Sequence, residues 1–378
     1  MRLARLMLCA TLSLAAACGT STPTGDTPDG GSDAGVPDAG PVSWDLAVPY
    51  ALDAGAPITA ASETWTYVEF PESRCANGTP TGIAVNLTQR SKKVLVYLQG
   101  GGSCWSAQVC AFGAAVHLKD TVNGPVVMAE AQHPAMQLLF DRARADNPFK
   151  DASFVYVPYC TADLHTGTTV AAYNAFGITE VHHVGAKNLD AYLRRLAPTF
   201  ADAEKVWLMG ISAGGYAATV HGWRFQKALP HARVDVLDDA GPLLQPNTFD
   251  ATYAQCVERW QPDFPPGCAG CDASIAAVRT RALELMAAPR RYALMSYLQD
   301  QTVRWFLGQL PQQMPGPELE ALLLNLRGDL PPGAKTFYVA GDTHVVSSTP
   351  EVVAGGVKAW DWVNQFASDA PGWDHAGP

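Results

Sequence analysis

Residues 206–223, VWLMGISAGGYAATVHGW, decide the fold class of this 378-residue chain. Four apolar residues run into a GISAG motif at residues 210–214, and a helix-prone segment follows it. A strand, a sharp turn and a helix form the context in which a G-x-S-x-G pattern exposes a nucleophilic serine, here Ser212. The backbone N–H group of Ala213, at the start of the helix, would point at an oxyanion formed beside Ser212.

The plain alternative for this stretch is a glycine-rich turn between a strand and a helix, with an incidental serine. The G-x-S-x-G pattern is short enough to occur by chance. A catalytic interpretation therefore requires the rest of the chain to supply a histidine, an acid and a second oxyanion donor.

Composition limits the classes of function that the chain can have. Hydrophobic residues make up 48% of it, which is enough for a sizeable core, and its length suits one large α/β domain or two small ones. The formal net charge is -10 and the sequence has no basic cluster, which argues against nucleic-acid binding.

The N-terminal segment has the pattern of an export signal. Arg2 and Arg5 precede an apolar stretch at residues 6–17, which is shorter than the roughly 20 residues that a membrane span needs. The stretch ends in LAAACG, which resembles a bacterial lipobox whose Cys18 becomes the acylated mature N-terminus. We therefore predict a lipoprotein signal peptide over residues 1–18. An ordinary signal peptide cut after Ala17 is the alternative.

The segment after the signal, residues 19–42, is rich in Gly, Pro, Asp, Ser and Thr and almost free of large apolar side chains. Such a composition cannot bury enough surface to fold, so we predict a disordered acidic tether. No second linker and no internal repeat follow, and residues 43–378 are predicted to form one domain. The expected location is a membrane-anchored exported lipoprotein, at the cell surface or the periplasmic face. Only the N-terminal lipid would contact the membrane.

The cysteines that remain after removal of the signal would lie in an oxidising compartment, where disulfides form. Their number is odd, so at least one thiol is predicted to be free or to pair between molecules. Cys268 and Cys271 form a C-x-x-C pair, but no second pair of ligands accompanies them. A structural disulfide is therefore favoured over a metal or redox site.

Strand-like and helix-like segments alternate beyond residue 43. Apolar strands are predicted at residues 94–98, 154–158, 205–209, 234–237, 292–297 and 336–339, after two antiparallel strands at 64–70 and 82–87. Helices are predicted after Ser212 and at residues 185–196, 318–326 and 356–366. This alternation implies right-handed βαβ crossovers and a mostly parallel sheet with helices on both faces. The α/β-hydrolase fold has this plan, and its catalytic residues follow in the order Ser, Asp or Glu, His.

His344 is the candidate general base. The base in this fold follows the last strand, and residues 336–344, TFYVAGDTH, put His344 on that loop. The other histidines compete poorly because of their places in the chain. His182 and His183 precede the serine, and His375 lies in a C-terminal tail that is expected to fray.

Two sites compete for the acid that would orient His344. Asp238 and Asp239 follow one predicted strand, whereas Asp300 follows the next. The acid in this fold usually follows the penultimate strand, which favours Asp300. The alternative interpretation of Asp239 is a buried carboxylate that ties a loop to backbone N–H groups.

The second oxyanion donor is expected just after an early central strand. Three glycines, residues 100–102, follow the strand predicted at residues 94–98. Glycines let the main chain approach a substrate closely and direct its N–H groups inward. A plain tight turn is the alternative, although it needs only one or two glycines.

Several stretches of the sequence resemble the pectin acetylesterase family, which includes the Notum-type carboxylesterases. They are CANGTPTGIAVNL (75–87), VYLQGGGSCW (96–105), NPFKDASFVYVPYCTADLHTG (147–167), HHVGAKN (182–188), GISAGGYA (210–217), DDAG (238–241), YLQDQ (297–301) and GDTHVVSS (341–348). The stretches occur in family order and touch most of the chain between residues 75 and 348.

The resemblance implies an α/β-hydrolase fold, a Ser-Asp-His triad and ester hydrolysis without a metal or an organic cofactor. By position, Ser212 matches the nucleophile, Asp300 the acid and His344 the base. The positions that match the oxyanion donors are Gly101, Gly102 and Ala213. Two departures from the family, Gln99 where Glu is usual and Ser103 before Cys104, concern the substrate more than the chemistry.

The family's paired cysteines imply two disulfides, Cys75–Cys160 and Cys104–Cys110. They leave Cys256, Cys268 and Cys271 to hold one more bridge, whose partners the resemblance does not assign.

The expected activity is that of a serine carboxylic ester hydrolase working through an acyl-enzyme, and the chain is expected to be a monomer. Acetyl groups on an extracellular polysaccharide are the first expected substrate, on resemblance, and longer acyl esters on a lipid or protein are the second. A non-catalytic binding protein on a hydrolase scaffold is the rival class. Asp163 and His165 are expected either at the pocket rim or in a purely local role, as a helix cap or in solvent.

Overall fold

An eight-stranded β-sheet forms the centre of the computed structural model, which describes residues 52–113, 115–286, 290–308 and 312–378. The strands of the chain, in order, are β1 (Thr66–Phe70), β2 (Thr81–Asn86), β3 (Lys93–Leu98), β4 (Ser153–Val157), β5 (Thr169–Ala175), β6 (Ile178–His183), β7 (Lys205–Ile211), β8 (Arg233–Asp239), β9 (Tyr292–Tyr297), β10 (Ala334–Val339), β11 (Val353–Ala354) and β12 (Val357–Lys358). The central sheet has the order β1-β2-β4-β3-β7-β8-β9-β10.

Most of this sheet is parallel. Strand β2 pairs antiparallel with β1 and β4, and every other neighbouring pair in the sheet is parallel. The carboxyl ends of parallel strands meet at one edge of a sheet, and ligands of open α/β sheets bind outside that edge. The segments that follow β3, β7, β8, β9 and β10 therefore lie together.

Helices flank the sheet, so the predicted α/β class and mostly parallel central sheet are confirmed. The helices are α1 (Ala107–Phe112), α2 (Gly124–Ala131), α3 (Gln137–Phe140), α4 (Gly185–Thr199), α5 (Ala213–Ala228), α6 (Asp250–Trp260), α7 (Ile275–Glu284), α8 (Gln301–Leu307), α9 (Gly316–Asp329) and α10 (Ala359–Ala367).

The central position of β7 follows from its composition. Its apolar residues 206–209 are at most 2% exposed, because the sheet is covered on both faces and a continuous apolar run suits such a strand. Helix α5 packs directly on this strand and on β8, and small residues such as Ala217 and Ala218 face the sheet in fully buried positions. The strand, turn and helix predicted around Ser212 thus form a buried unit at the centre of the fold.

The structure also contains elements that the sequence patterns did not predict. Strands β5 and β6 form an antiparallel hairpin outside the central sheet, and β11 and β12 form a second small one just before α10. The C-terminal tail does not fray as expected. The N–H of Ala376 donates to Thr336, and the N–H of Tyr338 donates to Ala376, so the tail continues the edge of the sheet at β10.

Three disulfides cross-link the described residues. Cys75–Cys160 and Cys104–Cys110 are the pairs that the family resemblance implies, and Cys268–Cys271 is the third. Cys256 is a free and buried thiol. The remaining bridge is therefore the C-x-x-C pair itself.

The described residues belong to one compact unit, residues 44–378. The predicted signal peptide, Cys18 and the tether lie outside the described residues. Among the helices that are described, none has both the length and the apolar character required to cross a bilayer.

Candidate active site

Ser212 occupies a strained turn between β7 and α5. Its φ of 52° and ψ of -120° lie in a region that residues other than glycine rarely adopt, and such strain persists only where the surroundings enforce it. A Cβ at Gly210 would overlap the Gly214 carbonyl, and a Cβ at Gly214 would overlap the Leu98 carbonyl. The two glycines of the motif therefore permit the turn that raises Ser212 above the sheet edge.

His344 lies on the loop after β10 and contacts Asp300. This aspartate caps the N-terminus of α8, three residues after the end of β9. The Nδ1 of His344 lies 2.7 Å from Oδ2 of Asp300. The Asp300 side chain is completely buried, and its Oδ1 accepts the N–H groups of Thr302 and Val303 at 2.9 and 3.0 Å. If Nδ1 donates its proton to Asp300, the other ring nitrogen is left as a proton acceptor.

Ser212 and His344 line the same cavity, so the structure brings the three candidate triad residues to one place. Within the described residues, the Ser212 hydroxyl has no hydrogen-bond partner. Catalytic hydrogen bonds are often long in a protein without substrate and tighten only in the complex.

Asp239, the rival acid, binds backbone rather than imidazole. Its Oδ1 accepts the N–H of Val346 and its Oδ2 accepts the N–H of Ser347, both at 2.8 Å. Burial raises the pKa of Asp239. The neighbouring Asp238 accepts hydrogen bonds from Gly241 N–H and the Thr219 hydroxyl, and burial raises its pKa to about 7. Asp239 therefore has the loop-tying geometry of its alternative interpretation.

The glycine turn after β3 faces the start of α5. Gly101 and Gly102 have φ values of 154° and 71°, which favour glycine, and the Gly101 carbonyl accepts the N–H of Val116 at 2.9 Å. Gly102 and Ala213 line the cavity beside Ser212, whereas Gly101 does not. Across the described ranges, no group accepts a hydrogen bond from the N–H of Gly101, Gly102 or Ala213. The Gly102 and Ala213 donors are therefore available to an oxyanion in the cavity, whereas the predicted donor Gly101 lies outside its lining.

Asp163 and His165 do not line the cavity, and neither faces solvent. Asp163 is completely buried and accepts hydrogen bonds from Thr161, His165, Gly167 and the first residue of α4, Gly185. Burial raises the pKa of Asp163 to about 6. Asp163 thus caps α4 and holds the turn around it, which is a local role.

His165 holds the residue that precedes the glycine turn by a hydrogen bond. The ring lies on Tyr159, and its Nε2 lies 3.0 Å from the carbonyl oxygen of Gln99, to which it donates. Burial lowers the pKa of His165 to about 4, so the ring is neutral at pH 7. Gln99 also accepts the Tyr159 N–H through its side chain, which fixes the main chain one residue before the glycines.

The cavity beside Ser212 has a volume of about 110 Å³, and helices α6, α7 and α8 supply much of its wall. Its apolar lining includes Leu164, Leu244, Phe249, Tyr253, Trp260, Ile275, Val303, Phe306 and Leu307. No sequence pattern marks these residues, because apolar positions on helices have the same spacing whether they face a core or a cavity.

One cluster of potential metal ligands occurs in the described part of the chain, formed by Cys104, Cys110 and His183. The two sulfur atoms are joined in a disulfide and offer no thiolate. The ring of His183 is hydrogen-bonded through both nitrogens, to the Thr161 carbonyl at 2.9 Å and to the Tyr173 hydroxyl at 2.8 Å. This donor set does not suit a metal ion.

Comparison with known proteins places the chain in a family. The profile of the family described as Pectinacetylesterase matches residues 59–261. The palmitoleoyl-protein carboxylesterase NOTUM of Schmidtea mediterranea is 28% identical over 168 residues, which are 43% of this chain and 30% of that protein. The human protein of the same name is 25% identical over 194 residues, which are 49% of this chain and 36% of that protein.

A further relative, the inactive palmitoleoyl-protein carboxylesterase notum1b of Danio rerio, is 28% identical over 97 residues, 25% of this chain and 66% of that protein. The matched region spans about a third of the length of the planarian and human relatives. Since the profile covers more than half of the sequence, from before β1 to just after α6, the chain belongs to the pectinacetylesterase family.

Proposed function

We propose that the chain is a serine carboxylic ester hydrolase in which Ser212, His344 and Asp300 form the catalytic triad. The 2.7 Å contact between His344 Nδ1 and Asp300 Oδ2, beside the cavity that holds Ser212, is the observation that carries the proposal. Family membership supports the same chemistry.

In the proposed reaction Ser212 Oγ attacks the ester carbonyl while the free nitrogen of His344 takes its proton. Asp300 holds the imidazole in the required tautomer and stabilises the imidazolium. The N–H groups of Gly102 and Ala213, which line the cavity, bind the oxyanion, and collapse of the tetrahedral intermediate passes the proton to the leaving alcohol. Water, activated by His344, then releases the acid and restores Ser212.

The cavity bears on the acyl group of the substrate. An acetyl group would leave most of the apolar lining without contacts, whereas a longer hydrocarbon chain would bury it. The site therefore favours an acyl ester longer than acetyl over the acetylated polysaccharide expected from resemblance. Two relatives are named as carboxylesterases acting on palmitoleoylated protein, which is consistent with this preference.

A panel of p-nitrophenyl esters from C2 to C16, together with acetylated polysaccharides, tests the proposal. Each buried methylene is worth about 0.8 kcal/mol, so kcat/KM should rise about fourfold per methylene until the cavity is full. Highest activity on C2 and on polysaccharide acetyl groups would restore the acetylesterase assignment. A pure, folded protein that hydrolyses none of these esters would favour the binding-protein alternative. One relative is named as an inactive carboxylesterase.

We also propose that the protein is exported and anchored through an acylated Cys18, and that it acts as a monomer. The lipobox-like pattern and the predicted tether support the first point. Mass spectrometry of the mature N-terminus tests it, since acylation adds a diacylglyceryl group to Cys18 and an ordinary signal peptide does not. A Cys18→Ser variant is the matched control and should be released from the membrane fraction.

A further inference from the structure

We propose that Asp239 is a positioning residue for His344, acting through the loop that carries it. The inference rests on the proposed function and assigns a role to the last residue of β8, which the triad leaves unused.

The Asp239 carboxylate binds the main chain of the loop that carries His344. Its two oxygens accept the N–H groups of Val346 and Ser347, each at 2.8 Å, and the side chain is completely buried. These donors lie two and three residues after His344. A carboxylate that accepts two backbone N–H groups fixes the direction as well as the place of the chain between them.

The main chain of Asp239 binds the turn that carries Ser212. Its carbonyl oxygen accepts the N–H of Ser212 at 2.7 Å. One residue therefore holds the nucleophile turn through its backbone and the histidine loop through its side chain. Because β8 lies between β7 and β9 in the sheet, this residue stands between the strands that lead to Ser212 and Asp300.

The histidine loop needs such support. Val345 has a φ of 67°, which is costly for a β-branched residue, and the following residues make only a short turn of 3₁₀-helix, residues 346–348. Asp239 compensates by satisfying two N–H groups at the start of that turn. Replacement by asparagine would leave one oxygen acceptor and turn an amide N–H₂ towards the other backbone donor.

The test compares Asp239→Asn with Asp238→Asn. Asp238 is the matched control, since it precedes Asp239 in the same strand, is equally buried and holds Gly241 and Thr219 instead of the histidine loop. The first measurement is the imidazole Nδ1–H proton resonance of His344 by NMR, which reports its hydrogen bond to Asp300 and requires no turnover. The second is kcat and KM on the best ester of the panel.

Asp239→Asn is expected to shift or broaden the Nδ1–H resonance and to lower kcat about 10- to 100-fold with KM changed less than about threefold, because small misplacements of a catalytic group have costs of this size. Asp238→Asn is expected to keep the resonance and kcat. An Asp239→Asn protein with a wild-type resonance and wild-type kcat per folded molecule would overturn the proposal.

If Asp239→Asn does not fold, Val346→Pro removes one of the two donors while Asp239 stays intact. Val346 is the first residue of the 3₁₀ turn, where proline is tolerated. The same resonance shift and kcat loss are expected, and their absence in the folded variant would contradict the proposal. A resonance that responds to Asp239→Asn in a protein without esterase activity would refute the proposed function and leave the positioning role standing.

Discussion

Asp239, at the end of β8, and Asp300, shortly after β9, are the same residue type in similar surroundings but have different binding partners. Asp239 and Asp300 are both completely buried, and each accepts two backbone N–H groups. Asp239 uses both of its oxygens for backbone donors, one for Val346 and one for Ser347. Asp300 receives both donors on Oδ1 and keeps Oδ2 for His344. The direction in which the local backbone turns each carboxylate, and not the residue type, distinguishes the one that contacts the imidazole from the one that holds the loop.

The geometry of Asp300 follows from its position as the N-cap of α8. An N-cap aspartate accepts the N–H groups of the second and third helical residues, here Thr302 and Val303. One oxygen suffices for both donors, because the two N–H groups of a first helical turn converge. The helix start therefore holds the carboxylate rigid and presents its second oxygen to the histidine loop.

Among substitutions of these carboxylates, the largest loss of activity is expected from Asp300→Asn. The amide keeps the shape of the side chain but favours the wrong imidazole tautomer, so kcat should fall about 10³- to 10⁴-fold. Steady-state kinetics and thermal unfolding of the purified variant measure the effect and verify the fold. Turnover that survives in Asp300→Asn and disappears in Asp239→Asn would move the acid to the end of β8.

A smaller loss of kcat is expected at the glycine turn that carries the oxyanion donors, which neither carboxylate contacts. The Cys104–Cys110 disulfide follows the glycine turn, and the Cys104 N–H donates to the Ala162 carbonyl at 3.0 Å. Cys104→Ser/Cys110→Ser should lower kcat about tenfold and leave the protein folded, because the loosened turn misplaces oxyanion donors.

A matched control for this double variant is Cys268→Ser/Cys271→Ser, which opens the third disulfide away from the glycine turn. Its kcat on an acetyl ester should stay within about twofold of the wild type. Equal losses of kcat in the two double variants would show that the Cys104–Cys110 bridge has no special part in the oxyanion site.

A last effect leaves catalysis aside and concerns stability and pH. Burial lowers the pKa of His183 to about 4, below its ordinary value of 6.5. Its contribution to the free energy of unfolding is therefore complete above pH 6.5 and is lost as the pH falls towards 4, by up to about 3 kcal/mol. Urea unfolding of wild type and His183→Asn at pH 7.5 and 4.5 should show the wild-type advantage shrinking at the lower pH.

Asp238 provides a control of opposite sign for this experiment. Its folded pKa of about 7 lies above the value in an unfolded chain, so its contribution is present at acidic pH and is lost as the pH rises through 7. The wild-type advantage over Asp238→Asn should therefore shrink as the pH rises from 4 to 7.5. Advantages that change in the same direction for both variants would contradict the assigned shifts.

Local patterns predicted most of the fold. The buried strands are continuous apolar runs, and the strand predicted at residues 292–297 is Tyr292–Tyr297 in the structure. The hairpin of β5 and β6 was missed because its two-residue turn is Phe176-Gly177. Both residues have positive φ, 54° and 75°, which the sequence signals with Asn-Gly or Asp-Gly in more typical hairpins.

Candidate site residues were predictable where the chemistry has a local signature. Ser212 stands in a motif, Asp300 and His344 follow apolar strands, and the glycine turn follows another. The contact between Asp239 and Val346 spans 107 residues and depends on how far the loop after β10 folds back over β8. No local pattern encodes such a distance, and the same holds for the cavity wall from α6, α7 and α8.

Covalent labelling with a fluorophosphonate tests most directly whether Ser212 is the nucleophile, because this reagent reacts with a serine that is activated by a neighbouring base. Peptide mapping by mass spectrometry should find the label on Ser212, and Ser212→Ala should abolish both labelling and, by at least about 10⁴-fold, kcat while leaving the melting temperature nearly unchanged. Absence of label in the folded wild type, or label and esterase activity that persist in Ser212→Ala, would contradict the account.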